Sequence, residues 1–145
     1  MKINPKVPKA YYRTSVKAVI TNDSRDVLIV NERNGGWDLP GGGLDWGEDT
    51  LSALAREMIE ELGCEAKIDP QPKALIPWNN NSTNVHVLWV LYLVTVNKSD
   101  IKPTEDVKEA KFVSIDEYIA ILANQEKSSW QAAVDFRQTL HTLIS

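Results

Sequence analysis

Hydrophobic positions along the chain recur with two different periods, and the switches between them outline its elements. Ser15 to Ile20 and Val27 to Asn31 are short apolar runs that read as strands. Asn22-Asp23-Ser24-Arg25-Asp26 between them is a turn cluster, so the pair is expected to form a hairpin. Trp37-Asp38-Leu39-Pro40 reads as a short extended segment. The period then changes. Leu51, Leu54, Ala55, Met58 and Leu62 recur at roughly 100° per residue and predict one apolar stripe on a helix. Asp49 or Thr50 can cap its start, and Gly63 stands where a C-terminal glycine stop belongs.

Strand patterning returns at Glu65 to Ile68 and Lys73 to Trp78, interrupted by Pro70 and Pro72. A polar loop, Asn79 to Asn84, leads into Val85 to Val96. That run is apolar on both alternating faces, the pattern of a strand buried on both sides at the centre of a layered fold. Lys98 to Lys108 reads as a charged loop and Phe112-Val113-Ser114 as a short strand. Ser114 caps a helix over Ile115 to Ala123, with Glu117 placed for a capping box. Ser128 or Ser129 starts a last helix, in which Trp130, Ala133, Val134, Leu140 and Ile144 recur at helical spacing.

Composition narrows the classes. A length of 145 residues suits one domain with a real core, and residues 1–145 show no repeat, low-complexity tract or linker. Residues 1–12 are expected to form a flexible or loosely docked arm. This arm is basic but carries Pro5 and Pro8 and lacks the apolar core of a signal peptide. The longest apolar run is too short for a membrane helix. A cytoplasmic protein with no membrane partner is the expectation. The net charge of −4 argues against bulk nucleic-acid binding. Cys64 is the only cysteine, which excludes an internal disulfide and argues against a cysteine zinc site. With only His86 and His141, a histidine-rich metal site is not expected either. His86 reads as a structural histidine rather than a base.

The chemistry concentrates on the first predicted helix. Glu57, Glu60 and Glu61 stand at the i, i+3, i+4 spacing that makes neighbours. Like charges so stacked repel, and a hard divalent cation is their natural partner. A solvated acidic face is the alternative reading. The surroundings shift the weight toward the cation. Gly42, Glu48, Arg56, Glu57, Glu60, Glu61 and Gly63 complete the Nudix box position by position, with Met58 in its first hydrophobic slot. Cys64 fills the last slot, where an aliphatic residue is more usual. Chance would produce the fixed positions with a probability on the order of 10⁻⁶ or less. The sequence resembles a Nudix hydrolase.

The resemblance implies a Nudix-type α/β/α sandwich with a mixed β-sheet and the box helix packed on one face. It implies Mg²⁺ or Mn²⁺ held by Glu57, Glu60 and Glu61, with a carbonyl of Gly41 or Gly42 adding a ligand. Arg56 would orient Glu57, and Glu48 would brace Arg56. Arg33 matches a position where many members carry an arginine and reads either as a phosphate or base contact or as a surface charge. Arg13 and Lys17 are weaker candidates of that kind. Trp46, between the glycines and the helix, is expected to be exposed and is a candidate to cover the substrate, against packing or a rim position as the favoured reading. Asp106 falls nearest the place of a further family acid, usually a glutamate, that binds metal or activates water; a solvated charge run is the rival reading. The general base is then Asp106 or one of Glu57, Glu60 and Glu61.

The implied reaction is hydrolysis of a nucleoside diphosphate linked to another moiety. The short chain and the W-D-L-P-G-G lead-in look most like the small nucleotide-sanitising members of that family, which implies a (deoxy)nucleoside triphosphate as substrate. An ADP-ribose or nucleotide-sugar pyrophosphatase is the alternative, and a non-catalytic nucleotide sensor is the alternative of another class. The acidic balance speaks against an RNA-processing member. The expected partners are a small-molecule nucleotide and, optionally, a second copy in a homodimer.

Overall fold

The computed structural model describes residues 12–33, 35–80, 85–125 and 130–145. Its strands are β1 (Arg13–Val19), β2 (Val27–Glu32), β3 (Gly36–Asp38), β4 (Gly41–Gly43), β5 (Lys67–Ile68), β6 (Ala74–Asn80), β7 (Val85–Thr95) and β8 (Val107–Val113). The helices are α1 (Thr50–Leu62), α2 (Ile115–Asn124) and α3 (Trp130–Ile144). The predicted arm, apart from Tyr12, and the predicted start at Ser128 or Ser129 lie outside the described residues.

β7 organises the larger sheet. It runs parallel to β1 on one edge and antiparallel to β6 and β5 on the other. β4 closes the far side of β1 in antiparallel register, so this sheet is mixed. β3, β2 and β8 form a second, antiparallel sheet.

Alternation along the strands divides the apolar residues into two cores. Val16, Ala18, Leu28, Val30 and Tyr92 pack with Leu54, Met58 and Leu62 of α1. Val19, Val27, Ile29, Trp89 and Leu91 pack with Tyr118 and Leu122 of α2 and with Phe136 and Leu140 of α3. Helices therefore cover both faces of the strands, as the Nudix α/β/α arrangement requires. Among the described residues no helix is long and apolar enough to cross a membrane.

Three details differ from the sequence reading. β1 and β2 belong to different sheets, so they do not form the expected hairpin. Asn22 does organise a turn, its Oδ1 accepting the N–H groups of Ser24 and Asp26 at 3.0 and 2.9 Å. Only the Thr21–Val27 bridge then links the strands. Val16 to Ile20 and Val27 to Val30 are buried on every face. Each run needs cover on two sides, which separate sheets supply and a half-exposed hairpin does not. Second, β8 begins at Val107, well before Phe112. Its polar residues hide the strand from an apolar pattern, but pairing with β2 satisfies its backbone. Third, α1 is rotated relative to the predicted stripe. Leu51 and Ala55 are exposed, whereas Ala53, Leu54, Met58, Glu61 and Leu62 are buried.

Candidate active site

α1 is a well-punctuated helix. The Asp49 carboxylate accepts the Ser52 N–H at 2.8 Å, satisfying a donor of the first turn. Gly63 ends the helix in the left-handed region, at φ 64°, and its N–H donates to Ile59 O at 3.1 Å. Between these stops the three glutamates meet three different environments.

Glu61 points inward and is only 4% exposed. Its Oε1 accepts the Gly41 N–H at 3.0 Å. Its Oε2 is buried with no hydrogen-bond partner. Burial pushes the carboxyl up to about 9, and Glu32 and Glu57 push the same way. The Lys17 ammonium and the Gly41 N–H oppose them. Glu57 lies over Gly42, where an added Cβ would collide with its carboxylate. Glu60 is exposed and turned to Arg56, whose Nη1 donates to Oε2 at 3.0 Å.

Arg56 gathers this acidic surface. It donates to both carboxylate oxygens of Glu48 at 2.8 Å and to Glu57 Oε1 at 3.2 Å. Glu48 also accepts the Asp45 N–H at 3.0 Å, which ties the loop to the helix. The hydrogen bonds from Arg56 hold the Glu48 carboxyl down at about 2, with the Asp45 N–H adding to them. The same partnership raises the basicity of Arg56.

An open cavity of about 360 Å³ is lined by Glu32, Arg33, Gly41, Gly42, Glu57, Glu61 and Asp106. β2, β4, α1 and the start of β8 thus meet at one place. Arg33 is exposed; its Nε donates to Glu105 O and its N–H to Asp106 O, so it fastens the loop that carries Asp106. Glu60 and Trp46 do not line this cavity. Trp46 stands fully exposed beside a second groove, of about 390 Å³, with Tyr12, Arg13 and Glu48. His86 is exposed, not built into the core.

Two charged residues carry more of the site than the sequence reading gave them. Glu32 adds an acid to the cavity wall; the one signal for it is a charge closing an apolar strand. Lys17 reads in the sequence as a weak candidate for a phosphate or base contact, or as a surface charge; it is instead buried, its ammonium 3.0 Å from Asp38 Oδ2. Nothing local separates it from a surface lysine, because Trp89 and Asp38, which enclose it, come from other strands.

Among the described residues, no three acidic, histidine or cysteine side chains already surround one point. The donors nevertheless suit a hard cation. They are oxygen atoms, and Glu61, whose Oε2 is buried with no hydrogen-bond partner, lines the same cavity as Glu57, Glu32 and Asp106.

Comparison with known proteins identifies the family and the fold. The NUDIX domain matches residues 11–134. An RNA pyrophosphohydrolase of Rickettsia africae is 28% identical over 141 aligned positions, covering 85% of this chain and 88% of that protein. An RNA pyrophosphohydrolase of Ruthia magnifica is 49% identical over 53 residues, covering 36% of this chain and 30% of that protein. A NUDIX hydrolase from Nitrosomonas europaea superposes with a TM-score of 0.71 at 25% identity, covering 91% of this chain and 90% of its own. The MutT protein from Methanosarcina mazei shares the fold, with a TM-score of 0.70 at 22% identity over 94% of this chain and 95% of its own. A complete box, the fold that presents it and a family match across most of the chain lead to one conclusion: this protein belongs to the NUDIX family and is a hydrolase of pyrophosphate bonds.

Proposed function

We propose that the protein hydrolyses a phosphoric anhydride bond of a nucleoside or deoxynucleoside triphosphate, using Mg²⁺ or Mn²⁺. The observation that carries this reading is the single cavity shared by Glu57, Glu61, Gly41, Gly42, Arg33 and Asp106. In this reading Glu57, Glu60 and Glu61 hold the cation, with a carbonyl of Gly41 or Gly42, and Glu60 must leave Arg56 to do so. A bound divalent cation neutralises phosphate oxygens and lowers the pKa of a bound water. Asp106 or one of the glutamates accepts the proton of the attacking water. Arg33 contacts the phosphates, and Trp46 lies against the base from the neighbouring groove. Glu48 and Arg56 keep Glu57 in place.

A second reading is hydrolysis of a triphosphate at the 5′ end of an RNA. It is supported by the curated relatives, which are named RNA pyrophosphohydrolases. The net charge of −4 then favours recognition of the end over binding along the strand. A substrate panel tests both readings: nucleoside and deoxynucleoside triphosphates, ADP-ribose, a nucleotide sugar and a 5′-triphosphorylated RNA oligonucleotide, each with Mg²⁺. The first reading expects the highest kcat/KM on a mononucleotide triphosphate. A preference for the RNA selects the second, a preference for ADP-ribose or the sugar overturns both, and binding without turnover would mark a sensor.

A further inference from the structure

Lys17 is an unusual residue to bury, because an ammonium loses much hydration free energy inside a protein unless it is paired. It stands directly opposite Gly41 in the β1–β4 ladder. Its side chain is 5% exposed and lies 5.3 Å from the centre of the Trp89 ring. The Nζ donates to Asp38 Oδ2 at 3.0 Å and to Leu39 O at 3.3 Å. Asp38 is itself fixed, since its Oδ1 accepts the Tyr118 hydroxyl at 3.0 Å and the Leu39 N–H at 2.7 Å. The Ala18 N–H holds Pro40 O at 2.8 Å. Every residue from Asp38 to Pro40 is therefore tied to β1, and the next residue is Gly41, whose N–H meets Glu61.

We propose that Lys17, seated by Asp38 and Tyr118, is a positioning residue: it sets the Asp38–Gly41 backbone so that the Gly41 N–H holds the Glu61 carboxylate at the cavity wall. This deepens the hydrolase reading above and rests on it only for the assignment of Glu61. Lys17 touches no reacting atom in this scheme. It acts through the backbone, and its charge also favours the ionised form of its neighbour. A merely structural lysine would support the whole core equally. A positioning lysine should affect Gly41 and the turnover step more than the rest.

The test compares Lys17→Met, Lys17→Arg and Tyr118→Phe with the wild type, using the full chain. The first readout needs neither metal nor substrate: the Gly41 amide in a ¹⁵N-resolved spectrum and its hydrogen-exchange rate. In Lys17→Met that amide should shift upfield and exchange at least tenfold faster, while core amides of β7 keep their relative protection. The second readout is kinetic, on whichever panel substrate the wild type turns over. Lys17→Met should lower kcat at least tenfold with KM within threefold, and Lys17→Arg should recover part of the loss. If Lys17→Met does not fold, Tyr118→Phe carries the test, with a smaller Gly41 shift and a several-fold lower kcat. A folded Lys17→Met, or failing that Tyr118→Phe, with an unmoved Gly41 amide overturns the proposal, and so does wild-type kcat. Because the amide readout is independent of substrate, a wrong nucleotide assignment would leave that half of the test standing.

Discussion

Gly41 and Glu61 are joined by a hydrogen bond from the Gly41 N–H to Glu61 Oε1, at 3.0 Å, which leaves Oε2 buried without a partner. The carboxyl thus has one satisfied and one unsatisfied oxygen, on a residue that lines the cavity.

That arrangement makes metal-free stability depend on pH. Glu61 is raised from 4.5 to about 9, with burial as the first cause. Between those values the folded protein keeps a proton that the unfolded chain has lost. The native state then binds more protons, so stability falls as pH rises through this window. Glu61→Gln should abolish this component. In chelator, the variant should be more stable than the wild type at pH 8, by an amount on the order of a few kcal/mol. The difference should shrink toward pH 4. Denaturant titrations across pH measure it, and equal slopes for both proteins would contradict it.

Cations should reverse the penalty. Mg²⁺ or Mn²⁺ bound only to the folded protein stabilises it by about 2.7 kcal/mol at one hundred times Kd. At matched ionic strength this corresponds to a rise in Tm of several degrees. The rise should be smaller in Glu61→Gln and in Glu60→Gln. A wild type indifferent to several millimolar Mg²⁺, both with and without a non-hydrolysable nucleotide, would remove the metal assignment.

Turnover should depend on the same acids. Glu57→Gln and Glu61→Gln are expected to lower kcat on the order of 10²-fold or more, since each tenfold is about 1.4 kcal/mol of transition-state stabilisation. Glu60→Gln should do the same if its carboxylate leaves Arg56 for the metal. Initial rates at saturating Mg²⁺ decide, and a near-normal Glu60→Gln would assign that residue to Arg56 alone.

Asp106 faces the cavity from the opposite side of the sequence. As general base it acts mainly in the transition state, so Asp106→Asn should depress kcat and leave KM nearly unchanged. Unaltered kinetics would return the proton to the glutamates of α1.

The adjacent glycines should fail differently. Gly41 has φ +134°, and a Cβ there would collide with Val16 O and lie 3.0 Å from Lys17 Cα. Backbone cannot yield cheaply, so Gly41→Ala should destabilise the fold by several kcal/mol. At Gly42 the obstacle is the end of the Glu57 side chain. Gly42→Ala should therefore melt near the wild-type temperature and lose at least tenfold in kcat. Thermal melts beside rates separate the two outcomes, and equal Tm values for both variants would contradict them.

Much of this architecture was legible locally. Asp49 and Gly63 bound α1 because capping and the left-handed stop depend on neighbouring residues alone. β7 is recognisable because a strand buried on both faces leaves no polar alternation. The spacing of Gly42, Glu48, Arg56, Glu57, Glu60, Glu61 and Gly63 is likewise a property of the chain itself. What the chain could not decide by itself is which neighbour covers which face. Glu60 and Glu61 are adjacent in sequence, yet one is exposed beside Arg56 and the other is buried against Gly41, because the packing of α1 on the sheet sets its rotation. β1 and β2 part into different sheets because each requires two covering layers. Lys17 looks like a surface lysine until Asp38 and Trp89 enclose it. Glu32 and Asp106 come to line one cavity with Glu57 only when β2 and β8 pair. Periodicity reports the dihedral angles and near neighbours of a segment. Burial and charge pairing depend on contacts between segments far apart in the chain, and those exist only once the sheets have formed.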